Sequence, residues 1–329
     1  MILKETLKKI CEMKMLDLNI IKIKNELKKL IPKDVDIIND QLNNIIFKNK
    51  NFDETKRKIM ITANFEEESL MATKIESNGN VCFLPIGDIS AEDVVCKPVT
   101  LKEKLNGIIG TKPIHLQTKE EKQAKLKIKN LFIDFGFKDK KEAEKFISIG
   151  ETLNFFTSFS EIDENTIKSK SLGDRFCCYV LINLLADSLN IASVFLTKEK
   201  AISTSSKPAA FFINPDIAIV LKPYYINQEK ENFEENVMLL PIKNNHIYYD
   251  EELINLAEKT AKENKITLKK IILKNKIETF KQIATSRAGI KTIAFLIPCK
   301  NFWPYNVLKK QDMLIFMEFI KSYVKKLLN

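Results

Sequence analysis

The stretch Asp216-Ile-Ala-Ile-Val-Leu221 is a nearly continuous apolar run with the length of one strand. Strands that are buried on both faces of a sheet have this composition, whereas strands with one face in water alternate apolar and polar residues. A second run of similar character, Lys58-Ile-Met-Ile-Thr-Ala63, lies in the first third of the chain. The two runs predict a sheet that is covered by helices on both sides.

The segments around the first run alternate between helical and strand patterns. Some repeat apolar residues at helical spacing, and others are short apolar runs between turn residues. Strands are predicted over 191–196, 268–273 and 292–297, and helices over 176–185, 208–212, 251–264 and after an N-cap at Asp312, with a buried stripe of Leu314, Met317, Ile320, Val324 and Leu327 or Leu328. This alternation is typical of a three-layer α/β domain with a mixed or largely parallel sheet.

The character of the sequence changes between about residues 70 and 165. Leu70–Ile75 and Asn80–Ile86 are predicted to be short strands joined by a turn at Asn78-Gly79. Further glycines punctuate the rest of this region. We therefore expect a small β-rich domain at 70–165, inserted into a discontinuous α/β domain formed by 1–69 and 166–329.

The composition indicates a globular protein of the cytoplasm. Residues 1–15 have an amphipathic helix pattern without the continuous apolar core of a signal peptide. The longest apolar stretch, 176–196, is interrupted by polar residues, which argues against a membrane span. The six cysteines show no CxxC spacing, so we expect free thiols in a reducing compartment.

The formal net charge of +10 comes from 53 Lys and Arg against 43 Asp and Glu. Such a surplus can attract nucleic acid or acidic partners. However, the lysines are spread along the chain, few aromatic residues lie among them, and no compact arginine cluster is present. This distribution argues against a nucleic-acid partner.

Three linked segments of the predicted insert carry a family resemblance: Leu105-Asn-Gly-Ile-Ile-Gly-Thr-Lys-Pro-Ile-His-Leu116, Leu131-Phe-Ile-Asp-Phe-Gly136 and Lys141-Glu-Ala-Glu144. In this order they resemble the insertion domain of the tetrahedral aminopeptidases, metallopeptidase family forty-two. The resemblance implies a zinc-aminopeptidase-like α/β domain with a mixed sheet, an inserted small β-barrel-like domain, and assembly into dimers and often hollow dodecamers. It also implies two zinc or cobalt ions held by His, Asp and Glu, with a Glu as general base.

The resemblance places the family's catalytic positions on residues of other types. The replaced ligand positions are Asn64 in Ala63-Asn-Phe-Glu66, Gly173 in Leu172-Gly-Asp-Arg175, Lys200 in Lys198-Glu-Lys-Ala-Ile202, Lys222 after the strand Ile219-Val-Leu221, and Trp303 (or Phe302) in the stretch from Ile297 to Pro304. Only Glu199, at the position of the base, matches the family. Without a metal-activated water we expect Glu199 to be inactive, as a solvated or salt-bridged carboxylate beside Lys198 and Lys200.

These replacements predict a non-catalytic family member, a pseudopeptidase, without a metal cofactor. An amide is a poor ligand for zinc or cobalt, and a protonated lysine has no lone pair to offer. Asp174, Lys200 and Lys222 are then candidates for an anion or peptide-carboxylate pocket. The expected partners are further copies of the chain, or an active paralogue, bound through the inserted domain.

Two other functions remain open from the sequence. An aminopeptidase or other hydrolase with a carboxylate-only site would suit Mg, Mn or Ca; its candidate ligands are Glu66, Glu67, Glu68, Asp174 and Glu199. A cysteine-based role would use the adjacent Cys177-Cys178 pair, although buried structural thiols are the norm on an apolar helix.

Overall fold

The computed structural model describes residues 2–13, 20–102, 104–156, 158–187, 189–202, 204–226, 236–244, 247–273, 277–302 and 304–329. The chain forms two compact units. The larger comprises the described residues of 1–66 except 15–19, together with those of 159–329. The smaller comprises the described residues of 67–158.

The helices and strands alternate as the apolar patterns predict. The helices are α1 Ile2–Glu12, α2 Ile20–Leu27, α3 Ala91–Val94, α4 Lys119–Gln123, α5 Lys140–Ala143, α6 Leu172–Leu185, α7 Glu199–Ile202, α8 Ser206–Ile213, α9 Glu251–Glu263, α10 Glu278–Ala284 and α11 Lys310–Leu328. The strands are β1 Val35–Asn39, β2 Ile45–Asn49, β3 Ile59–Asn64, β4 Ser69–Ile75, β5 Val81–Ile86, β6 Pro98–Leu101, β7 Leu105–Thr111, β8 Leu131–Asp134, β9 Thr152–Phe155, β10 Ser160–Glu161, β11 Thr166–Ser169, β12 Ile191–Leu196, β13 Ile217–Ile226, β14 Val237–Asn244, β15 Ile247–Tyr248, β16 Thr267–Leu273, β17 Lys291–Phe302 and β18 Tyr305–Lys309.

The larger unit is built on one mixed sheet with the strand order β1-β2-β12-β3-β13-β17-β18-β11-β10, to which β14, β15 and β16 are joined through β17. Its centre is parallel, since β3 pairs in parallel with both β12 and β13, and β13 pairs in parallel with β17. The outer pairs are antiparallel. The carboxyl ends of the central strands therefore meet at one edge of the sheet, where open α/β sheets place their sites.

Helices cover the central strands on both faces. Every residue of β3 and β12 is buried, which requires a layer on each side of the sheet. One layer contains α6 with its neighbours α1 and α11, and a second contains the contacting pair α8 and α10. The predicted three-layer α/β domain is confirmed.

Arg175 fastens α1 to this layer. Its guanidinium is fully buried and donates to the carbonyl oxygens of Ile10 (3.1 Å) and Met13 (3.0 Å) at the end of that helix. It also lies 3.8 Å from the centre of the Phe65 ring. The last carbonyls of a helix lack intrahelical donors, so a buried guanidinium there serves as a cap.

The smaller unit is a closed antiparallel barrel with the order β4-β5-β8-β7-β6-β9, and this confirms the predicted β-barrel-like domain. Its interior is apolar: Leu70, Val81, Val99, Ile109, Ile133 and Leu153 have no exposed surface. The predicted turn between β4 and β5 contains Gly79 at φ +86°. A Cβ there would lie 2.9 Å from the Phe137 carbonyl oxygen, so conformation and space both require glycine.

The structure corrects several details of the predicted elements. Asp312 is not an N-cap, because α11 begins at Lys310 and the Asp312 carboxylate accepts the backbone N–H of Asn236 instead. Ile320, Val324 and Leu327 are buried as predicted, but Leu314 is exposed and Met317 is half-buried. The remaining buried residues of the helix are Met313, Phe316, Phe319 and Tyr323. β10 and β11 pair with the large sheet rather than the barrel. No helix in the described part of the chain combines the length and hydropathy that a bilayer span requires.

Candidate functional site

The larger unit brings most of the predicted site residues to the carboxyl ends of its central strands. Asn64 is the last residue of β3, and α7 begins at Glu199, shortly after β12 ends at Leu196. In the register of β3 and β13, Thr62 is opposite Val220, so continuing it brings Lys222 level with Asn64. Parallel pairing thus gathers residues from distant parts of the sequence.

Lys200 forms an ion pair with Asp174 across the site. Its ammonium nitrogen lies 2.9 Å from Oδ2 of Asp174, and only 12% and 4% of the two side chains are exposed. Removing one partner of such a buried ion pair is strongly destabilising, because the remaining charge has neither a counter-charge nor water around it. Within the predicted pocket of Asp174, Lys200 and Lys222, the charge of Lys200 is therefore balanced by Asp174.

Glu66 caps the amino end of α7 with its carboxylate. Its carboxylate accepts the backbone N–H of Lys200 and, at 3.1 Å, that of Ala201. Burial raises the pKa of Glu66 to about 7, and the hydrogen bonds from Lys200 and Ala201 oppose this rise.

Glu199 is enclosed by hydroxyl groups. Its Oε2 accepts the Ser205 hydroxyl (2.8 Å) and the Ser206 backbone N–H (3.0 Å), and its Oε1 accepts the hydroxyls of Ser206 (3.1 Å) and Thr279 (3.0 Å). All four residues are buried. The expectation of a solvated or salt-bridged carboxylate is therefore wrong: Glu199 ties together the starts of α7, α8 and α10.

Lys222 has a different environment from Lys200. No described residue forms a hydrogen bond or an ion pair with its ammonium group, which lies deep among protein atoms although part of the residue reaches solvent. Burial lowers the pKa of Lys222, and the negative charges of Asp174 and Glu199 oppose that change. Lys222 is thus the cation of the site that lacks a partner among the described residues.

Asn64 and the nearby thiols complete the site. The Asn64 side-chain oxygen is buried and receives no hydrogen bond from the described residues, and the Asn64 backbone oxygen accepts the Cys178 thiol at 3.1 Å. Burial raises the pKa of the Cys177, Cys178 and Cys299 thiols, which keeps them protonated. They are inert apolar packing, which does not favour a cysteine-based reaction.

Gly173 has no room for a side chain. A Cβ built on it would lie 2.5 Å from Cβ of Pro223 and 3.4 Å from the Cys299 sulfur. Pro223 is a rigid part of β13 and cannot turn away as a long side chain could. The volume that a carboxylate at this position would need is already filled.

The residues at these positions do not fit a pair of bound metal ions. Such a site needs several imidazole or carboxylate ligands, whereas this one offers an amide at Asn64, ammonium groups at Lys200 and Lys222, and no side chain at Gly173. An ammonium group would repel a dication and has no lone pair for it. Within the described residues, no three His, Cys, Asp or Glu side chains converge in a way that could hold a metal.

The candidate ligands of a carboxylate-only site are separately engaged. Asp174 is paired with Lys200, and Glu66 and Glu199 accept the hydrogen bonds described above. Glu67 and Glu68 belong to the other compact unit. Trp303, the remaining predicted position, lies outside the described residues.

Sequence reasoning missed the partners of Glu199. The Ser/Thr-rich stretch from Thr204 to Ser206, just before the apolar α8, was a recognisable helix-start signal. Thr279 had no such signal, because it lies 80 residues from Glu199 in the sequence.

Comparison with known proteins gives the same family as the barrel motifs. The fold is similar to the TET aminopeptidase of the marine sediment archaeon Thaumarchaeota archaeon SCGC AB-539-E09 (TM-score 0.88, 18% identity, covering 98% of this chain and 96% of that one). It is also similar to aminopeptidase APDkam598 of Desulfurococcus kamchatkensis (TM-score 0.86, 21% identity, covering 98% of this chain and 94% of that one). A third similar structure is the TET1 peptidase of Pyrococcus horikoshii (TM-score 0.81, 21% identity, covering 97% of this chain and 98% of that one). The family model described as M42 glutamyl aminopeptidase matches residues 43–318, and the chain therefore belongs to the M42 peptidase family.

Proposed function

We propose that this chain is a non-hydrolytic member of the M42 family, a pseudopeptidase that keeps the family's scaffold. The observation that carries the proposal is the ion pair of Lys200 with Asp174 beside the filled position at Gly173. Hydrolysis of a peptide needs an activated water, a base and stabilisation of the oxyanion. In family members two metal ions supply the first and the last of these.

Glu199 supports the same conclusion. A general base must be within hydrogen-bond reach of the water that it deprotonates. Here both oxygens of Glu199 accept hydrogen bonds from buried donors, two to each oxygen. Its role is then to hold three helix starts together.

The ammonium group of Lys222, which has no ion-pair or hydrogen-bond partner among the described residues, favours a ligand with a negative charge. A largely buried cation is costly without a counter-charge, and a carboxylate would supply one. We therefore narrow the candidate pocket of Asp174, Lys200 and Lys222 to Lys222 itself, with a peptide carboxylate as its ligand. Substitution of Lys222 by Met should weaken binding of short acidic peptides measured by calorimetry, and unchanged affinity would remove this pocket.

Assembly into oligomers is the second part of the proposal. One structural neighbour is described as a TET1 peptidase that can assemble into a tetrahedron or a large octahedral shell, and another as a dodecamer. We propose that this chain forms oligomers with itself or with an active paralogue through its barrel unit. The six free cysteines fit a reducing compartment, so we place the assembly in the cytoplasm.

The test of the proposed function is hydrolysis of aminoacyl p-nitroanilides by the purified chain with zinc, cobalt, manganese or magnesium added in turn. We expect no release of nitroaniline above that of the metal alone. Metal-dependent release that follows the protein through gel filtration would overturn the proposal and favour the carboxylate-only hydrolase. Light scattering on the same sample measures the oligomer mass.

A further inference from the structure

The Lys200 ammonium occupies the kind of place that a bound cation would have. It lies at the carboxyl edge of the parallel strands, 2.9 Å from the buried Asp174 carboxylate. The same residue donates its backbone N–H to the Glu66 carboxylate, so Lys200 joins two acidic residues from separate elements. Both acidic residues are buried.

Buried carboxylates need a counter-charge. Asp174 lies within the first turn of α6 and is buried, so a cation or hydrogen-bond donors must replace the water that its carboxylate has lost. Glu199 is compensated by hydroxyl groups and Glu66 in part by backbone N–H groups. For Asp174 the hydrogen-bonding partner that the structure shows is Lys200.

We propose that Lys200 is a built-in counter-cation: its ammonium group takes over the charge-balancing role of a metal ion at Asp174 and ties α6 to α7, while its backbone N–H contacts Glu66 after the end of β3. This inference rests on the proposed function, since both require that no metal ion sits among these residues. It goes beyond it by assigning a positive structural role to a residue that the family comparison marks only as a lost ligand.

The proposal predicts chemical rescue. In a Lys200→Ala variant the atoms removed correspond to n-propylammonium, and Asp174 is left without its cation. We expect the midpoint of thermal unfolding to fall by roughly 5–10 °C, because breaking a buried pair on one side leaves an uncompensated charge. Millimolar propylammonium should recover a large part of that loss, whereas 1-propanol, which has the same shape without the charge, should not.

Two controls make the rescue specific. The wild type should show no stabilisation by propylammonium, and neither should a Lys291→Ala variant, whose lost ion pairs with Asp250 and Glu252 are on the surface. Manganese should stabilise Lys200→Ala more than it stabilises the wild type, because a cation of any kind can serve Asp174. Equal responses of Lys200→Ala and Lys291→Ala to propylammonium and to manganese would overturn the proposal.

A double variant covers the case in which Lys200→Ala does not fold. In Lys200→Met with Asp174→Leu both charges are absent, so we expect a folded protein that is more stable than either single variant. A double variant as unstable as the sum of the two single changes would contradict a charge-balancing role. Hydrolysis by the wild type would overturn the proposed function, whereas failed rescue would overturn only this role of Lys200.

Discussion

Replacing Glu199 separates a structural role from a catalytic one. Glu199 is the residue at which the sequence resemblance predicts the family's base, yet its carboxylate accepts one backbone N–H and three hydroxyl groups from buried residues. We consider two changes, Glu199→Gln and Glu199→Ala. Glutamine keeps the shape and one acceptor oxygen, while alanine removes all four acceptor contacts.

The structure sets the size of the two effects. A buried donor without an acceptor costs about 1–3 kcal/mol, but a hydroxyl can rotate toward another acceptor whereas the Ser206 N–H cannot. For Glu199→Ala we count that N–H and one hydroxyl, together with the lost charge at the start of α8, and expect about 3–5 kcal/mol. In Glu199→Gln the amide oxygen can still accept the Ser206 N–H. The hydroxyls of Ser206 and Thr279 can rotate and accept hydrogen bonds from the new amide NH₂ group, so we expect a loss of stability of about 1–2 kcal/mol.

Urea unfolding measures the free energy of unfolding of both variants. An unchanged slope of that free energy against urea concentration indicates that the folded state has kept its compactness. The matched control is Glu252→Gln, which removes an exposed carboxylate whose surface ion pair with Lys291 is screened by solvent, so its loss should leave stability almost unchanged. Equal stabilities of the wild type and Glu199→Ala would refute a structural role for the hydrogen bonds that Glu199 accepts from Ser205, Ser206 and Thr279. Loss of a measurable hydrolytic activity in Glu199→Gln, with stability unchanged, would instead identify Glu199 as a base.

Three further changes test other parts of the site. Gly173→Asp should destabilise the fold by about 3 kcal/mol or more because of the contact with Pro223, and should add no metal binding; tight zinc binding in calorimetry would contradict this. The raised pKa of Glu66 means that its folded form favours the proton, so its contribution to stability is complete below the unfolded pKa near 4.5 and is lost as pH rises through about 7. Relative to Glu66→Gln, the wild type should lose up to about 3 kcal/mol over that window in urea titrations, and parallel pH profiles would refute the buried carboxyl. Arg175→Lys should free α1, since one ammonium cannot reproduce the two-pronged guanidinium contact, at a cost of about 1–3 kcal/mol; α1 would then be cleaved faster in limited proteolysis, and unchanged cleavage would count against the cap.

The sequence predicts the layers of this protein better than its side-chain partners. The run at Asp216–Leu221 reports burial on both faces of a strand, which depends only on local composition, and β13 forms there. The strand continues through Lys222 to Ile226, however, because its pairing with β17 extends further than its apolar run. Tertiary pairing, which the local pattern does not contain, sets that boundary.

The candidate site shows the same division. The sequence resemblance predicts Lys200 and Gly173 as replacements of metal ligands, but the contacts of these two residues join parts of the chain that are far apart in sequence. Lys200 meets Asp174 across 26 positions, and Gly173 meets Pro223 across two different elements. Such pairs depend on the packing of α6 against α7 and against β13, for which a single sequence carries no signal.

The contact between Gly173 and Pro223 restricts which substitutions the site can accept in evolution. An acidic side chain introduced at position 173 would clash with Pro223 before it could contact a metal ion. The proline would have to change first, and that step alone would leave a void between α6 and β13 without any compensating gain. Each of the two changes, the acidic side chain at position 173 and the replacement of Pro223, therefore destabilises the fold when it occurs alone. A new use of the protein surface requires no such destabilised intermediate, so selection reaches it more readily than the chemistry of the relatives.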